Sequence, residues 1–193
     1  MPRFLDVRWT GLTSVRMLVL GGIRSGKSQW AEAAIEAAAE GPVHYLATGS
    51  AADTDPAWSA RVAAHRGRRP AHWRTVECGA GADDVVRQLG AEPVVATLLD
   101  DVGGWLTATM DRRGAWSGAP VDTDVDALVG AVAAFTAPLV LVSPEVGLTV
   151  VPATEAGRRF ADALGTVNQR LAAVCDRVVL VVAGQPVTVK EPS

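Results

Sequence analysis

Apolar residues in this chain come in short unbroken runs separated by longer stretches of mixed character. Met17-Leu18-Val19-Leu20, Val43 to Ala47, Pro93 to Leu99, Leu139 to Ser143 and Arg177 to Ala183 each have the length and composition of a strand buried on both faces. Between them the period lengthens. Gln29 to Glu40, Asp83 to Leu89, Gly103 to Met110, Asp124 to Thr136 and Thr154 to Asp176 read as helices. In the last of these, Phe160, Leu164, Val167 and Leu171 share one face, and Arg158, Arg159, Asp162, Asn168 and Gln169 take the opposite one. Another helix is expected from Asp55-Pro56, with Asp as N-cap and Pro in the first turn, carrying Trp58, Arg61, Val62 and His65 on or beside one face. Arg68 to Glu77 is irregular and closes as a short strand, Asp111 to Asp122 reads as an exposed loop, and Val187 to Lys190 as an edge strand after a Gly184-Gln185-Pro186 turn. Strands alternating with helices predict an α/β fold, a mainly parallel sheet covered by helices on both faces.

The junction of the first strand and first helix carries chemistry. Gly21, Gly22, Ile23, Arg24, Ser25, Gly26, Lys27 and Ser28 match the pattern G-x-x-x-x-G-K-[ST], in which backbone N–H groups of a glycine-rich turn surround the α- and β-phosphates of a nucleotide. Lys27 would neutralise the β- and γ-phosphates, and Ser28 would place its hydroxyl on Mg²⁺. The helix that starts here points its positive dipole end at the same anion. With only two lysines against sixteen arginines in the chain, a chance match is on the order of a few in a thousand. Nucleotide binding follows.

Ligands of open α/β sheets collect beyond the carboxyl ends of the strands, so polar strand tips are the next candidates. Thr48-Gly49-Ser50 ends the second strand, and Glu145 follows the fourth. Asp100-Asp101 ends the third; a carboxylate there either holds Mg²⁺ or caps the next helix, and Asp100 is the favoured metal residue. Arginines are densest between Arg61 and Arg74. Within that stretch His65 lies among Arg61, Arg66, Arg68 and Arg69, a setting that favours neutral imidazole and attracts a polyphosphate. Neutral imidazole beside a triphosphate is a competent nucleophile toward phosphorus; the other reading is a solvated basic helix end.

A chain of 193 residues, 49% hydrophobic, can bury one good core, which makes residues 17–193 a single domain. Its net charge of −3 argues against general affinity for nucleic acid. Cys78 and Cys175 are far apart and fit neither a disulfide framework nor a zinc site, so a reducing cytoplasm is the expected setting. Residues 1–16 carry interspersed charge without the apolar stretch of a signal peptide and read as either a disordered extension or an over-called start before Met17, and no run is long enough to span a membrane.

Taken in order, these landmarks resemble one family, the bifunctional adenosylcobinamide kinase and adenosylcobinamide-phosphate guanylyltransferase of cobalamin assembly. They are GGIRSGKS, YLATGS, R-x-x-x-H-x-x-x-R-P-x-x-W from Arg61 to Trp73, T-x-E at Thr75 to Glu77, LLDD, SPEVGLTVVP, NQRLA and VVAGQP. The resemblance implies a RecA-like phosphate-loop fold, a homotrimer, and two reactions. The first phosphorylates the aminopropanol hydroxyl of adenosylcobinamide; the second transfers GMP from GTP onto that phosphate through a guanylylated histidine. His65 matches that histidine, and His72 does not. Thr48, Gly49, Ser50, Arg66, Gly67, Arg68, Arg69, Glu77 and Asp100 match positions associated with nucleotide binding. The chain departs from the family pattern at Pro144, where Asn is usual, at Thr149, where Gly is usual, and at Asp101, Gly103 and Gly104. Two other readings share the phosphate loop: a plain small-molecule kinase, and a non-catalytic nucleotide-binding switch.

Overall fold

Strand β1 (Arg16–Gly21) is central because both of its faces are apolar: Met17 and Val19 are fully buried in one core and Leu18 in the other. The computed structural model describes residues 15–48, 67, 69–78 and 82–192. Helix α1 (Lys27–Ala38) follows β1 and buries Trp30, Ala31, Ala34 and Ile35. Then come β2 (Val43–Ala47), β3 (Arg74–Glu77), α2 (Ala82–Ala91), β4 (Ala96–Asp100), α3 (Val102–Arg113), a 3-10 turn (Ala115–Ser117) and α4 (Asp122–Ala134). The chain ends with β5 (Leu139–Pro144), α5 (Glu155–Val174), β6 (Arg177–Val182) and β7 (Gln185–Lys190).

These strands form one seven-stranded sheet in the order β3-β2-β4-β5-β1-β6-β7, parallel except for the β6–β7 hairpin. The expected α/β architecture is present: α1 covers one face and α2 to α5 the other, each over its own buried cluster. Parallel register puts Gly21, Ala47, Glu77, Asp100 and Pro144 together at the carboxyl edge. β1 has β5 and β6 as neighbours, so β4 and its acidic tip stand one strand further out.

Several boundaries move. Val15 is buried and Arg16 opens β1, its guanidinium paired with Asp176 at 2.9 Å, so the strand starts one residue before Met17. β4 starts at Ala96, not Pro93: the Pro93 carbonyl accepts the N–H groups of Thr136 and Ala137 in a turn, leaving Val94 77% exposed. Asn168, expected on the outer face of α5, is buried; Ser143 Oγ donates to its Oδ1 at 2.6 Å and its Nδ2 donates to the Pro144 carbonyl at 3.0 Å. At the far end of that helix Lys190 Nζ donates to the carbonyls of Ala172, Ala173 and Cys175, capping the negative dipole end. Cys78 and Cys175 are buried free thiols, their pKa values pushed up by burial to about 11 and about 12, so neither is a reactive thiolate.

The stretch expected as an exposed loop, Asp111 to Asp122, is mostly exposed, but its first residues end α3 and the rest turns a helix-to-helix corner. Ala115 is buried, Trp116 stacks on Phe160 at 6.2 Å, and Trp116 Nε1 donates to Asp111 Oδ1 at 2.5 Å. Two helix ends meet here with opposite charge: Arg112 and Arg113 close α3, and Asp124, 7% exposed, sits in the first turn of α4. Arg112 Nη2 donates to Asp124 Oδ1 at 2.7 Å and Arg113 Nε to Oδ2 at 2.8 Å. Burial alone would push the Asp124 carboxyl up, but hydrogen bonds and charge from the two arginines outweigh it and hold the group below the usual carboxylate range. That stabilisation is present above the unfolded value of ~3.9 and is lost as pH falls through the lower folded value. Asp124→Asn is therefore expected to cost about 2 kcal/mol at neutral pH. The difference should close in acid, read as urea midpoints of both proteins across the range; a constant gap would remove the ion pairs from the account.

Candidate functional site

The phosphate loop is shaped by positive φ angles and by two glycines, Gly21 and Gly26, packed close to their neighbours. Arg24 and Gly26 both adopt positive φ, 57° and 92°. A Cβ on Gly21 would lie 2.4 Å from Ser25 Oγ and 2.8 Å from the Val181 carbonyl, and one on Gly26 would lie 3.2 Å from Gly184 Cα. The β6–β7 turn, where Ala183 and Gly184 also have positive φ, therefore packs directly on the loop. Gly184 N–H donates to the Ser25 carbonyl at 2.7 Å. Ser25 Oγ accepts the Lys27 N–H at 3.3 Å, and Lys27 Nζ donates to the Gly22 carbonyl at 3.3 Å across the turn. Gly22, Ile23 and Arg24 stand exposed at the crest.

Ser28, in the first turn of α1, reaches β4: its Oγ donates to Asp100 Oδ1 at 3.3 Å. The other carboxylate oxygen accepts the Tyr45 hydroxyl at 2.6 Å. A hydroxyl and a carboxylate beside a phosphate loop are the hard oxygen donors that suit Mg²⁺, which is commonly held by one or two such groups plus substrate phosphates. Among the described residues no three His, Cys, Asp or Glu side chains cluster as a fuller metal cage.

The two adjacent aspartates divide the roles left open by the sequence. Asp101 is the N-cap of α3, its Oδ1 accepting the Gly104 N–H at 2.7 Å. Burial and then the charge of Asp100 push its carboxyl up to about 6. Thr48 is buried, and its hydroxyl both donates to the Asp101 carbonyl at 2.6 Å and accepts the Asp101 N–H at 2.9 Å. It locks the tips of β2 and β4 together. A Cβ on Gly104 would lie 2.6 Å from Thr48 Oγ1, and one on Gly103 2.9 Å from Pro144 Cγ. Two of the departing positions thus adjoin: Gly103 makes room for the Pro144 ring.

Arg69 lies over the Tyr45 ring, its guanidinium carbon 3.5 Å from the centroid, with Nη1 donating to Thr75 Oγ1 at 3.0 Å. Trp73 takes another side of that ring at 6.2 Å and anchors to α1 by donating from Nε1 to Glu36 Oε2 at 2.7 Å. His72 also reaches Glu36, at 3.3 Å. Gly67 is exposed, and Glu77 is exposed at the end of β3, opposite Ala47. Gly49, Ser50, His65, Arg66 and Arg68, with the whole of the expected 55–66 helix, lie outside the described residues. Tyr45 and Gly184 are the residues sequence reasoning did not single out. The signal for Tyr45 was a hydroxyl in a buried strand, which needs an acceptor.

A family model described as cobinamide kinase / cobinamide phosphate guanyltransferase matches residues 17–189. The chain belongs to this family. It is 39% identical over 190 residues to the bifunctional adenosylcobalamin biosynthesis protein CobU of Salmonella typhimurium, covering 90% of this chain and 99% of that protein. Against the bifunctional adenosylcobalamin biosynthesis protein CobP of Pseudomonas aeruginosa it is 39% identical over 182 residues, covering 91% and 98%. Among solved structures, a Pyrococcus horikoshii protein superposes with a TM-score of 0.50 at 6% identity over 94% of this chain and 89% of that one, a likeness of fold alone. Both family and sheet order agree with the phosphate-loop architecture expected from the sequence.

Proposed function

We propose that the protein phosphorylates adenosylcobinamide and then transfers GMP from GTP to the resulting phosphate, giving adenosylcobinamide-GDP for cobalamin biosynthesis. The observation that carries this reading is the Ser28–Asp100 pair, 3.3 Å apart at the mouth of the phosphate loop, in a chain of the cobinamide kinase family. In the first reaction the loop amides and Lys27 hold an ATP or GTP triphosphate, and the acceptor hydroxyl displaces the nucleoside diphosphate from the γ-phosphorus. Ser28 and Asp100 would hold Mg²⁺, which when bound draws charge from the β- and γ-oxygens. Lys27 and the N-terminus of α1 stabilise the negative charge that grows on the leaving oxygen.

For the second reaction His65 is the nucleophile. Its imidazole nitrogen bonds to the α-phosphorus of GTP while the α–β bridge breaks, and the electron pair leaves with diphosphate. Cobinamide phosphate oxygen then attacks the same phosphorus and displaces His65, restoring neutral imidazole. Arg66, Arg68 and Arg69 supply positive charge beside this step, and the reading extends to a homotrimer working in the cytoplasm. Incubation with adenosylcobinamide, GTP and Mg²⁺ is expected to yield adenosylcobinamide-GDP. Accumulation of adenosylcobinamide phosphate alone would make the protein a plain kinase, and GTP binding without corrinoid turnover would make it a switch.

A further inference from the structure

A carboxylate turns easily about its last torsion, a broad two-fold well, so a metal-holding aspartate keeps its aim only when something fixes one of its oxygens. At Asp100 the two oxygens have different partners: Oδ1 faces Ser28 Oγ at 3.3 Å, and Oδ2 accepts the Tyr45 hydroxyl at 2.6 Å. We propose that Tyr45 is a positioning residue for Asp100, holding one carboxylate oxygen so that the other is presented to the metal beside Ser28. This inference rests on the Mg²⁺ site proposed above. Tyr45 is suited to the task by its own confinement. It is 2% exposed, packed in a buried strand, covered by Arg69 at 3.5 Å and flanked by Trp73 at 6.2 Å. Trp73 is itself tied to α1 through Glu36, which fixes the ring relative to the helix that carries Ser28. Arg69 follows His65 by four residues. Arg69, over its face, and the metal-holding carboxylate, at its hydroxyl, therefore close on the same ring.

A purely structural tyrosine would need only some acceptor for its hydroxyl; a positioning one must change what the metal feels. The test uses the full chain with GTP and Mn²⁺ in place of Mg²⁺, following bound Mn²⁺ by electron paramagnetic resonance in wild type, Tyr45→Phe and Asp100→Asn. Tyr45→Phe keeps the ring between Arg69 and Trp73, and circular dichroism checks its fold. Its Mn²⁺ binding in the GTP complex is expected to weaken by about tenfold, as outer partners of metal ligands commonly do. Half-saturating Mg²⁺ for phosphoryl transfer should rise in step, with the nucleotide KM at saturating Mg²⁺ unchanged. Wild-type Mn²⁺ affinity in Tyr45→Phe overturns the inference even if its melting temperature falls. If wild type holds no Mn²⁺ beyond that bound by GTP itself, the proposed metal site fails and this inference with it. A second readout needs no substitution. Tyr45 is the only tyrosine in the chain, so growth on 3-fluorotyrosine gives one fluorine resonance; it should shift when Mg²⁺ is added to the GTP complex, and a resonance that does not move counts against the proposal.

Discussion

Lys27→Ala is expected to lower kcat/KM for cobinamide phosphorylation by about a thousandfold, roughly 4 kcal/mol of transition-state stabilisation. The reason is where the charge sits. Lys27 is the first residue of α1, and its ammonium spans the loop to the Gly22 carbonyl at 3.3 Å, so a triphosphate seated on the loop amides meets it at the β- and γ-oxygens. Charge moves onto those oxygens as the γ-phosphoryl group leaves, which makes Lys27 worth more in the transition state than in the ground state. Removing it should therefore cut kcat more than it raises the nucleotide KM. The fold should not notice: Lys27 is half-exposed, so the melting temperature is expected to stay near wild type. Lys27→Arg is expected to recover little, because the turn over which Lys27 reaches the Gly22 carbonyl at 3.3 Å fits a compact ammonium and not a bulkier planar guanidinium. The chain's own usage supports this. Arginine outnumbers lysine sixteen to two, yet lysine is kept at Lys27 and at Lys190, and at both a single ammonium donates toward backbone carbonyls. A Lys27→Ala enzyme retaining more than a tenth of wild-type kcat/KM would remove Lys27 from the phosphoryl-transfer step.

What was legible in the sequence was whatever is written in consecutive residues. The phosphate loop is eight adjacent positions whose spacing encodes its own geometry. Strands buried on both faces appear as unbroken apolar runs, and β1, β2 and β5 fell where those runs lie. Contacts between distant residues were not legible in this way. Gly184 reads as a turn glycine, and nothing around it in the chain tells that its N–H supports the Ser25 carbonyl. Asn168 sits among polar residues on a helical wheel, but Ser143 and the Pro144 carbonyl need a partner inside the protein and draw it inward. Asp111 to Asp122 has the composition of a loop, but the opposite charges of two helix ends and the Trp116–Phe160 stack fold it into a corner. The pair Asp100-Asp101 is the intermediate case. Sequence placed a carboxylate at the strand tip, and only the backbone decided that the first faces Ser28 while the second caps α3.

His65→Ala is expected to abolish GMP transfer, by at least about four orders of magnitude, while leaving phosphorylation of adenosylcobinamide largely intact. The split follows from the chemistry of the two steps. In the proposed mechanism phosphoryl transfer from the γ-position uses the loop, Lys27, Ser28 and Asp100, none of which is His65. The proposed GMP transfer breaks the α–β bridge instead and, as a double displacement, would have no route without the side chain that forms the intermediate. Arg69, four residues after His65 in the chain, is held over Tyr45, whose hydroxyl is bound to Asp100. The measurement is acid-labile label retained on the protein after incubation with α-labelled GTP, followed by its chase with adenosylcobinamide phosphate. Wild type should take up the label and release it as adenosylcobinamide-GDP, and His65→Ala should take up none. His72, engaged with Glu36 at 3.3 Å, supplies the control: His72→Ala should label as wild type does. Equal labelling of wild type and His65→Ala would place the covalent intermediate on another residue, and a wild type that never labels yet makes adenosylcobinamide-GDP would replace the double displacement with direct attack.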